Sequence, residues 1–330
     1  MRILVTGGGG FLGRAIVKRL LARGDEVRIL GRSAQDDLAA LGVEVIRGDI
    51  AEAAAVDAAV TGVDAVFHVA AKAGFWGDYE SYYRPNVTGT LNVLAACKKH
   101  GVARLVYTST PSVVFSGQAF EGADETLPYG RDWLCAYPQT KAEAEQAILA
   151  AHGEDGLHTC ALRPHLIWGA GDPHIVPRLV ESARAGKLRI VGDGTNKVDV
   201  THVKNAALAH TQALDALDHG QAGGKAYFIS QGEPVALWLW INDLLGRLGE
   251  PEVKRAISAG KAYRLGGILE WVYRTFKLKG EPPMTRFLAV EFAKSHWFDI
   301  SAARRDLGYS PEISMEAWLD EVVAEWKVKS

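Results

Sequence analysis

The stretch Thr6-Gly7-Gly8-Gly9-Gly10-Phe11-Leu12-Gly13 lies between Arg2-Ile3-Leu4-Val5 and Arg14-Ala15-Ile16-Val17-Lys18-Arg19-Leu20-Leu21. An apolar run of strand length, a glycine turn and apolar residues at helical spacing predict a strand, a tight turn and a helix. Such a turn presents backbone N–H groups and a helix N-terminus to a pyrophosphate, so a dinucleotide is expected at residue 10. The glycines divide the work: one makes the sharp turn, one lets backbone approach phosphate, and one lets the helix pack close to the strand. Gly8, Gly10 and Gly13 satisfy G-x-G-x-x-G, and Gly7, Gly10 and Gly13 satisfy the wider G-x-x-G-x-x-G. Phe11 and Leu12 fall inside both registers and join the expected cofactor contacts.

Working outward, the 330 residues, 48% of them hydrophobic, suffice for a large core in one big domain or two closely joined ones. A net charge of -2 without a long basic run argues against a nucleic-acid partner. Cys97, Cys135 and Cys160 are far apart and include no CxxC, which argues against a metal site or a disulfide framework. The first strand begins at residue 2 and no apolar run is long enough for a membrane span, so a cytoplasmic protein is expected.

Strands alternate with helices along the first half, which predicts an α/β, doubly wound parallel sheet. The second strand ends Leu30-Gly31-Arg32-Ser33, about 20 residues past the glycines, where an NAD enzyme carries a carboxylate for the ribose 2'-hydroxyl. Gly31 offers nothing to repel a 2'-phosphate and Arg32 offers a cationic fork, favouring NADP(H); the alternative for Arg32 is a solvated loop residue. A third strand ends in Asp49-Ile50, where the carboxylate can accept from adenine or cap the next helix. The fourth runs Asp64 to Ala70-Ala71, ending in small residues that let a cofactor pass close. His68 within it reads as a satisfied core histidine rather than a catalytic one. The irregular aromatic stretch Lys72 to Tyr79 at the sheet's ligand edge is expected to wall the active site, and Tyr82 to Lys99 to form a long helix containing Asn86.

The fifth strand ends Thr108-Ser109-Thr110, and Tyr137-Pro138-Gln139-Thr140-Lys141 opens a later helix. Tyrosine and lysine four apart share a helix face, so the ammonium can stand near the phenol and lower its pKa toward the working range. A hydroxyl from strand five can hold a substrate carbonyl oxygen while the tyrosine donates a proton and hydride arrives from a nicotinamide.

The set Thr6 to Gly13, Asp49, Asn86, Thr110, Tyr137 and Lys141 resembles the extended short-chain dehydrogenase/reductase superfamily over almost the whole chain, and selects Gly7, Gly10 and Gly13 as the register. The resemblance implies that Tyr137 is the acid/base, Lys141 lowers its pKa and contacts the nicotinamide ribose, Asn86 supports a proton-relay water, and Thr110 is the catalytic hydroxyl with Ser109 as fallback. It further implies that the loop after Arg163-Pro164 faces the nicotinamide. Pieces after residue 168 would form a small, interleaved C-terminal substrate lobe: residues 1–167 plus 200–230 binding the cofactor, 168–199 and 231–330 the substrate. A homodimer through the helices carrying Asn86 and Tyr137 is implied as well. Within the superfamily the chain is similar to the 3β-hydroxysteroid dehydrogenase-like branch, and there to bacterial NADP-dependent 2-alkyl-3-oxoalkanoate reductases of long-chain olefin biosynthesis, through Ala70 to Gly77, Tyr107 to Val113, Leu162 to Gly169 and Lys279 to Leu288. The implied substrate is a lipid-like β-keto acid, with Lys72, Arg163 and His165 as candidates for its carboxylate and other pathway enzymes as partners. Hydroxysteroid or other alcohol oxidation, nucleotide-sugar epimerisation and NADP sensing by a non-enzyme are the alternatives. The apolar, aromatic and finally basic segment 262–279 reads either as a lobe helix packed on the core or as a surface for an alkyl chain, a membrane or a partner.

Overall fold

The computed structural model describes residues 1–172 and 175–329, with side chains through Trp326 at the C-terminal end. Of the turn expected at Gly169 to Pro173, Pro173 lies outside the described residues.

The first half runs β1 (Arg2–Thr6), α1 (Phe11–Arg23), β2 (Glu26–Gly31), α2 (Asp36–Ala39), β3 (Glu44–Arg47), α3 (Ala53–Val60), β4 (Ala65–His68), α4 (Tyr79–Tyr83), α5 (Gly89–His100), β5 (Arg104–Thr108), β6 (Phe120–Ala123), α6 (Ala136–Ala150) and β7 (His158–Pro164). Six of these strands and Ala226–Ile229 form a seven-stranded sheet in the order β3-β2-β1-β4-β5-β7 followed by Ala226–Ile229. All its pairings are parallel. The order reverses between β1 and β4, and ligands of open α/β sheets bind in the crevice at such a switch point.

Both faces of the sheet are covered, so its central strands are largely apolar and alternate residues serve different cores. Ile3 and Val5, Ala65 and Phe67, Cys160 and Leu162 pack with α1 and the helix Val203–Asp218. Leu4, Val66, Leu105, Tyr107 and Ala161 pack on the other side with α3, α5 and α6. A third core, including Trp168, Leu179, Trp238, Trp240, Leu244 and Trp318, gathers residues from Trp168 onward. There Trp168 meets Trp240 edge-on at 4.0 Å between centroids.

The two parts interlock. Strand β6 pairs with His296–Phe298 in a four-stranded sheet that also contains Lys197–Val198 and Val235–Ala236. Phe298, Ile300, Leu307 and Tyr309 return to the core of the large sheet. The expected single helix from Tyr82 to Lys99 is divided: a π-helical turn, Arg84–Thr88, joins α4 to α5. Pro85 in that turn has no N–H to donate, which removes one ordinary helical bond and favours the wider turn. The segment 262–279 forms most of the helix Ala259–Thr275.

Candidate active site

The crevice begins at the glycine turn. Gly7 has φ +69° and lies against β4's end; a Cβ there would sit 2.9 Å from the Ala70 Cα. A Cβ on Gly13 would stand 2.2 Å from the Gly7 carbonyl oxygen, so helix α1 reaches its place only without one. Gly10, exposed, is the N-cap of α1 and makes no side-chain cap bond; a Cβ on it would meet only the Gly7 oxygen, at 3.2 Å. An uncapped N-terminus with an open glycine fits a pyrophosphate, because the first amides of a helix have no intrahelical partners. Gly8 is constrained as well, by Ile29 at 2.3 Å from its would-be Cβ.

A directional hydrogen-bond chain fixes this turn to the rest of the site. The Thr6 hydroxyl accepts from the Val69 and Ala70 amides at 3.1 and 3.2 Å. Its own proton therefore goes to His68 Nδ1 at 2.9 Å. Nε2–H of His68 then donates to Thr90 Oγ1, also at 2.9 Å, and Thr90 donates to the Asn86 carbonyl at 2.5 Å. Burial, with Lys141's charge behind it, pushes the imidazole down to about 3, so His68 is a neutral core histidine.

Arg32, Arg47, Gly48 and Asp49 line a shallow concavity beyond the ends of β2 and β3. Parallel pairing of Gly31 with Arg47 sets a second guanidinium beside the first arginine. Asp49 accepts from the Ala51 amide at 2.9 Å, an Asx turn leading toward α3 rather than its N-cap, which is Glu52. Ile50 is buried against the helix start at Gly89, where a Cβ would meet it at 2.8 Å. Ala70 is half-buried, Ala71 exposed, and Pro164 closes β7.

Tyr137 lies in the first turn of α6, near enough to Thr110 for that hydroxyl to pull its phenol pKa down, while the Thr110 hydroxyl itself bonds the Ser112 hydroxyl at 3.0 Å. Burial pushes the phenol up to about 12, against the pull of Thr110. Ser109's hydroxyl is buried without a partner among the described residues, so of the two hydroxyls it is Thr110's that acts on the phenol. Lys141, only 2% exposed, donates to the Thr108 carbonyl at 2.6 Å and stands 4.1 Å from the centroid of Tyr107. Burial pushes the lysine down to about 7, with Glu145 opposing. Lys141 follows Tyr137 by four residues on the same helix; its ammonium donates to the Thr108 carbonyl, and the phenol stays high. Asn86 accepts from the Lys72 amide at 2.7 Å and donates to the Lys72 carbonyl and the Thr140 hydroxyl, both at 3.1 Å. So placed, it braces the Lys72–Tyr79 loop against α6.

One aromatic side chain, Phe75, stands against the phenol and is backed by rings from two other segments. Phe75 lies edge-on to Tyr137 at 6.5 Å and stacks on Phe287 at 5.1 Å, and Phe287 meets Phe115 at 4.9 Å. The three carboxylate candidates separate clearly. Arg163 is held by Glu145 through Nε and Nη2. His165 bonds His296 at 2.6 Å, and burial holds it well below the usual imidazole range. Lys72 donates to Ser81 at 2.8 Å, which leaves two of its three ammonium protons available.

Arg47, Phe115 and Phe287 were not singled out by the sequence reading. Register between β2 and β3 signals Arg47; the two phenylalanines carry no local signal. Among the described residues no His, Cys, Asp and Glu cluster could hold a metal ion. No helix among them is long and apolar enough to cross a membrane.

The chain is 54% identical over 328 residues to a 2-alkyl-3-oxoalkanoate reductase of Stenotrophomonas maltophilia, covering 98% of this chain and 99% of that protein. A 2-alkyl-3-oxoalkanoate reductase of Shewanella oneidensis is 46% identical over 330 residues, covering 97% and 85%. Among solved structures, MoeE5 in complex with UDP-glucose and NAD superposes with a TM-score of 0.77 at 25% identity, covering 100% and 99%. Residues 4–257 match the model of the 3-beta hydroxysteroid dehydrogenase/isomerase family. With its parallel seven-stranded sheet and nicotinamide-type glycine turn, the chain is an oxidoreductase belonging to that family of extended short-chain dehydrogenases/reductases.

Proposed function

We propose that the protein reduces the 3-oxo group of a long-chain 2-alkyl-3-oxoalkanoate to the 3-hydroxy acid with NADPH, as a step toward long-chain olefins. The observation that carries this reading is the Tyr137 phenol, beside Thr110 and against Phe75, with Phe287 and Phe115 packed behind that ring, which suits a ketone with apolar flanks. The activities named for the two bacterial relatives support it.

NADPH, held by Gly7, Gly10, Gly13 and the α1 N-terminus, would supply hydride to the carbonyl carbon. Thr110 holds the carbonyl oxygen beside Tyr137 and gives it a hydrogen bond that strengthens as negative charge develops. Tyr137 donates its proton to that oxygen; a phenol raised to about 12 is fully protonated at neutral pH, the state reduction requires. Lys141, protonated below about 7, stabilises the tyrosinate left behind until solvent restores the proton. Lys72 receives the substrate carboxylate. Arg32, with Arg47 beside it, receives the 2'-phosphate; residues 168–199 and 231–330 supply the substrate lobe, and a cytoplasmic homodimer acting with other pathway enzymes completes the reading.

Loss of NADPH absorbance on adding a 2-alkyl-3-oxo acid tests the reaction. No oxidation with that acid, alongside turnover of a hydroxysteroid or a nucleotide sugar, rejects the substrate. For the cofactor, Arg32→Ala should weaken NADPH by about 10-fold or more, on the order of one charge-assisted contact, while sparing NADH. Equal losses for both cofactors in a fluorescence titration would remove Arg32 from the specificity.

A further inference from the structure

The helix Ala259–Thr275 is apolar on its outward face. Ile268 is 59% exposed, Trp271 61% and, just past its end, Phe276 64%. Its inner face is already settled. Ala262, Gly266 and Glu270 are buried; a Cβ on Gly266 would stand 2.6 Å from the Thr285 backbone, and Glu270 bonds the Arg286 side chain at 2.8 Å. The outward residues are therefore not a core face displaced, and a patch of this kind marks a contact surface.

Charge identifies the occupant. Lys261, Arg264, Arg274, Lys277 and Lys279 are all exposed around the apolar side chains. The two acids of the same region pair elsewhere, Glu270 with Arg286 and Glu281 with Arg178. Five cations, three on the helix and two just past its end, around a tryptophan and aliphatic residues match the headgroup boundary of an anionic bilayer: apolar groups enter the acyl edge and cations meet lipid phosphates. A second copy of this chain fits poorly, because a two-fold contact through this face would oppose like charges.

We propose that the helix Ala259–Thr275 and the turn through Lys279 dock the protein on an anionic lipid surface. The face adjoins the candidate active site. Tyr273 meets Trp76 edge-on at 6.1 Å, Arg274 lies 5.2 Å from the Trp76 ring centroid, and the adjacent Phe75 contacts Tyr137. An amphiphile could thus pass between the bilayer and Tyr137; that link, unlike the docking, rests on the reaction proposed above.

Co-sedimentation of the full chain with phosphatidylcholine vesicles, with and without phosphatidylglycerol and in the absence of substrate, tests the docking. Binding is expected with phosphatidylglycerol, weakened by salt, and lost in the double variant Ile268→Ser/Trp271→Ser. Charge reversal in Lys277→Glu/Lys279→Glu should weaken it by about 10-fold or more. Both variants should oxidise NADPH with a water-soluble short-chain 2-alkyl-3-oxo acid as the wild type does, which shows them folded. Wild-type vesicle binding without any NADPH oxidation supports docking while rejecting the reaction. Absence of wild-type binding, indifference to lipid charge or undiminished binding by the serine variant overturns the docking; self-association abolished by the serine variant, without vesicle binding, assigns the face to a second copy instead.

Discussion

The two ends of the crevice are built in opposite ways. At the nucleotide end, fit is set by backbone against backbone: Gly13 against the Gly7 carbonyl, Gly7 against Ala70, and one buried hydrogen-bond chain from Thr6 to Asn86. At the substrate end, Phe75, Phe115 and Phe287 come from three segments and meet through side chains alone. At Gly7 and Gly13 the cradle tolerates no added atom because the backbone they meet cannot rotate away, whereas an aromatic wall can repack. The first therefore suits a cofactor common to many enzymes, and the second a variable substrate.

The sharpest way to break this contrast is at the cradle. Gly13→Ala places a methyl 2.2 Å from a backbone oxygen and should cost about 3 kcal/mol or more, by overpacking with no flexible neighbour. A large fall in Tm and loss of NADPH binding are expected. Gly10→Ala, whose methyl meets only one oxygen at 3.2 Å, should keep nearly the wild-type Tm and still bind NADPH poorly. Wild-type melting of Gly13→Ala would mean that the cradle is not rigid. Next in size, Tyr137→Phe should retain NADPH binding and lose on the order of 100-fold or more in kcat, the usual cost of removing a positioned general acid. Turnover close to wild type would take the proton-donor role from Tyr137.

The same contrast explains what could be read before folding. Thr6 to Gly13 was legible because strand, turn and helix are contiguous, and the helix carrying Tyr137 and Lys141 because its residues follow one another in sequence. His68 was read correctly as core from its apolar run. Strand β6 was not foreseen, because it pairs with His296–Phe298 near the other end of the chain. Arg47 acquires meaning only through its pairing with Gly31, and Phe287 only once its helix packs against Phe75. The π-helical turn at Arg84–Thr88 looks in sequence like ordinary helix, so the bracing of Lys72 by Asn86 came with the structure.

Lys141 belongs to the rigid end and gives it a pH signature. Its pKa, held near 7 by burial, lies below the ordinary 10.5. Between those values the unfolded chain binds a proton that the native chain lacks, so this group's contribution to stability rises with pH across the window and is lost as pH falls through about 7. Activity should run the other way. Charged Lys141 favours the tyrosinate, so kcat/KM for reduction should decline by about 10-fold per pH unit as pH rises above about 7, the slope of one essential proton. Lys141→Met should remove both the stability slope and this inflection and leave a low, flat rate. An unchanged inflection in that variant would assign it to another group.

The smallest effect is expected at the adaptable end. Phe287 is 1% exposed and touches both Phe75 and Phe115, so complete truncation would leave a large cavity and confuse binding with folding. Phe287→Leu keeps an apolar side chain of similar reach, and the neighbouring rings can close part of the gap. KM for a long-chain 2-alkyl-3-oxo acid should rise by about 3- to 10-fold with kcat nearly constant, since the wall binds ground and transition states alike. A short-chain analogue should be less affected, because less of it reaches the wall. If instead kcat falls while KM holds, Phe287 positions the ketone against Tyr137, and the substrate end is as exacting as the nucleotide end.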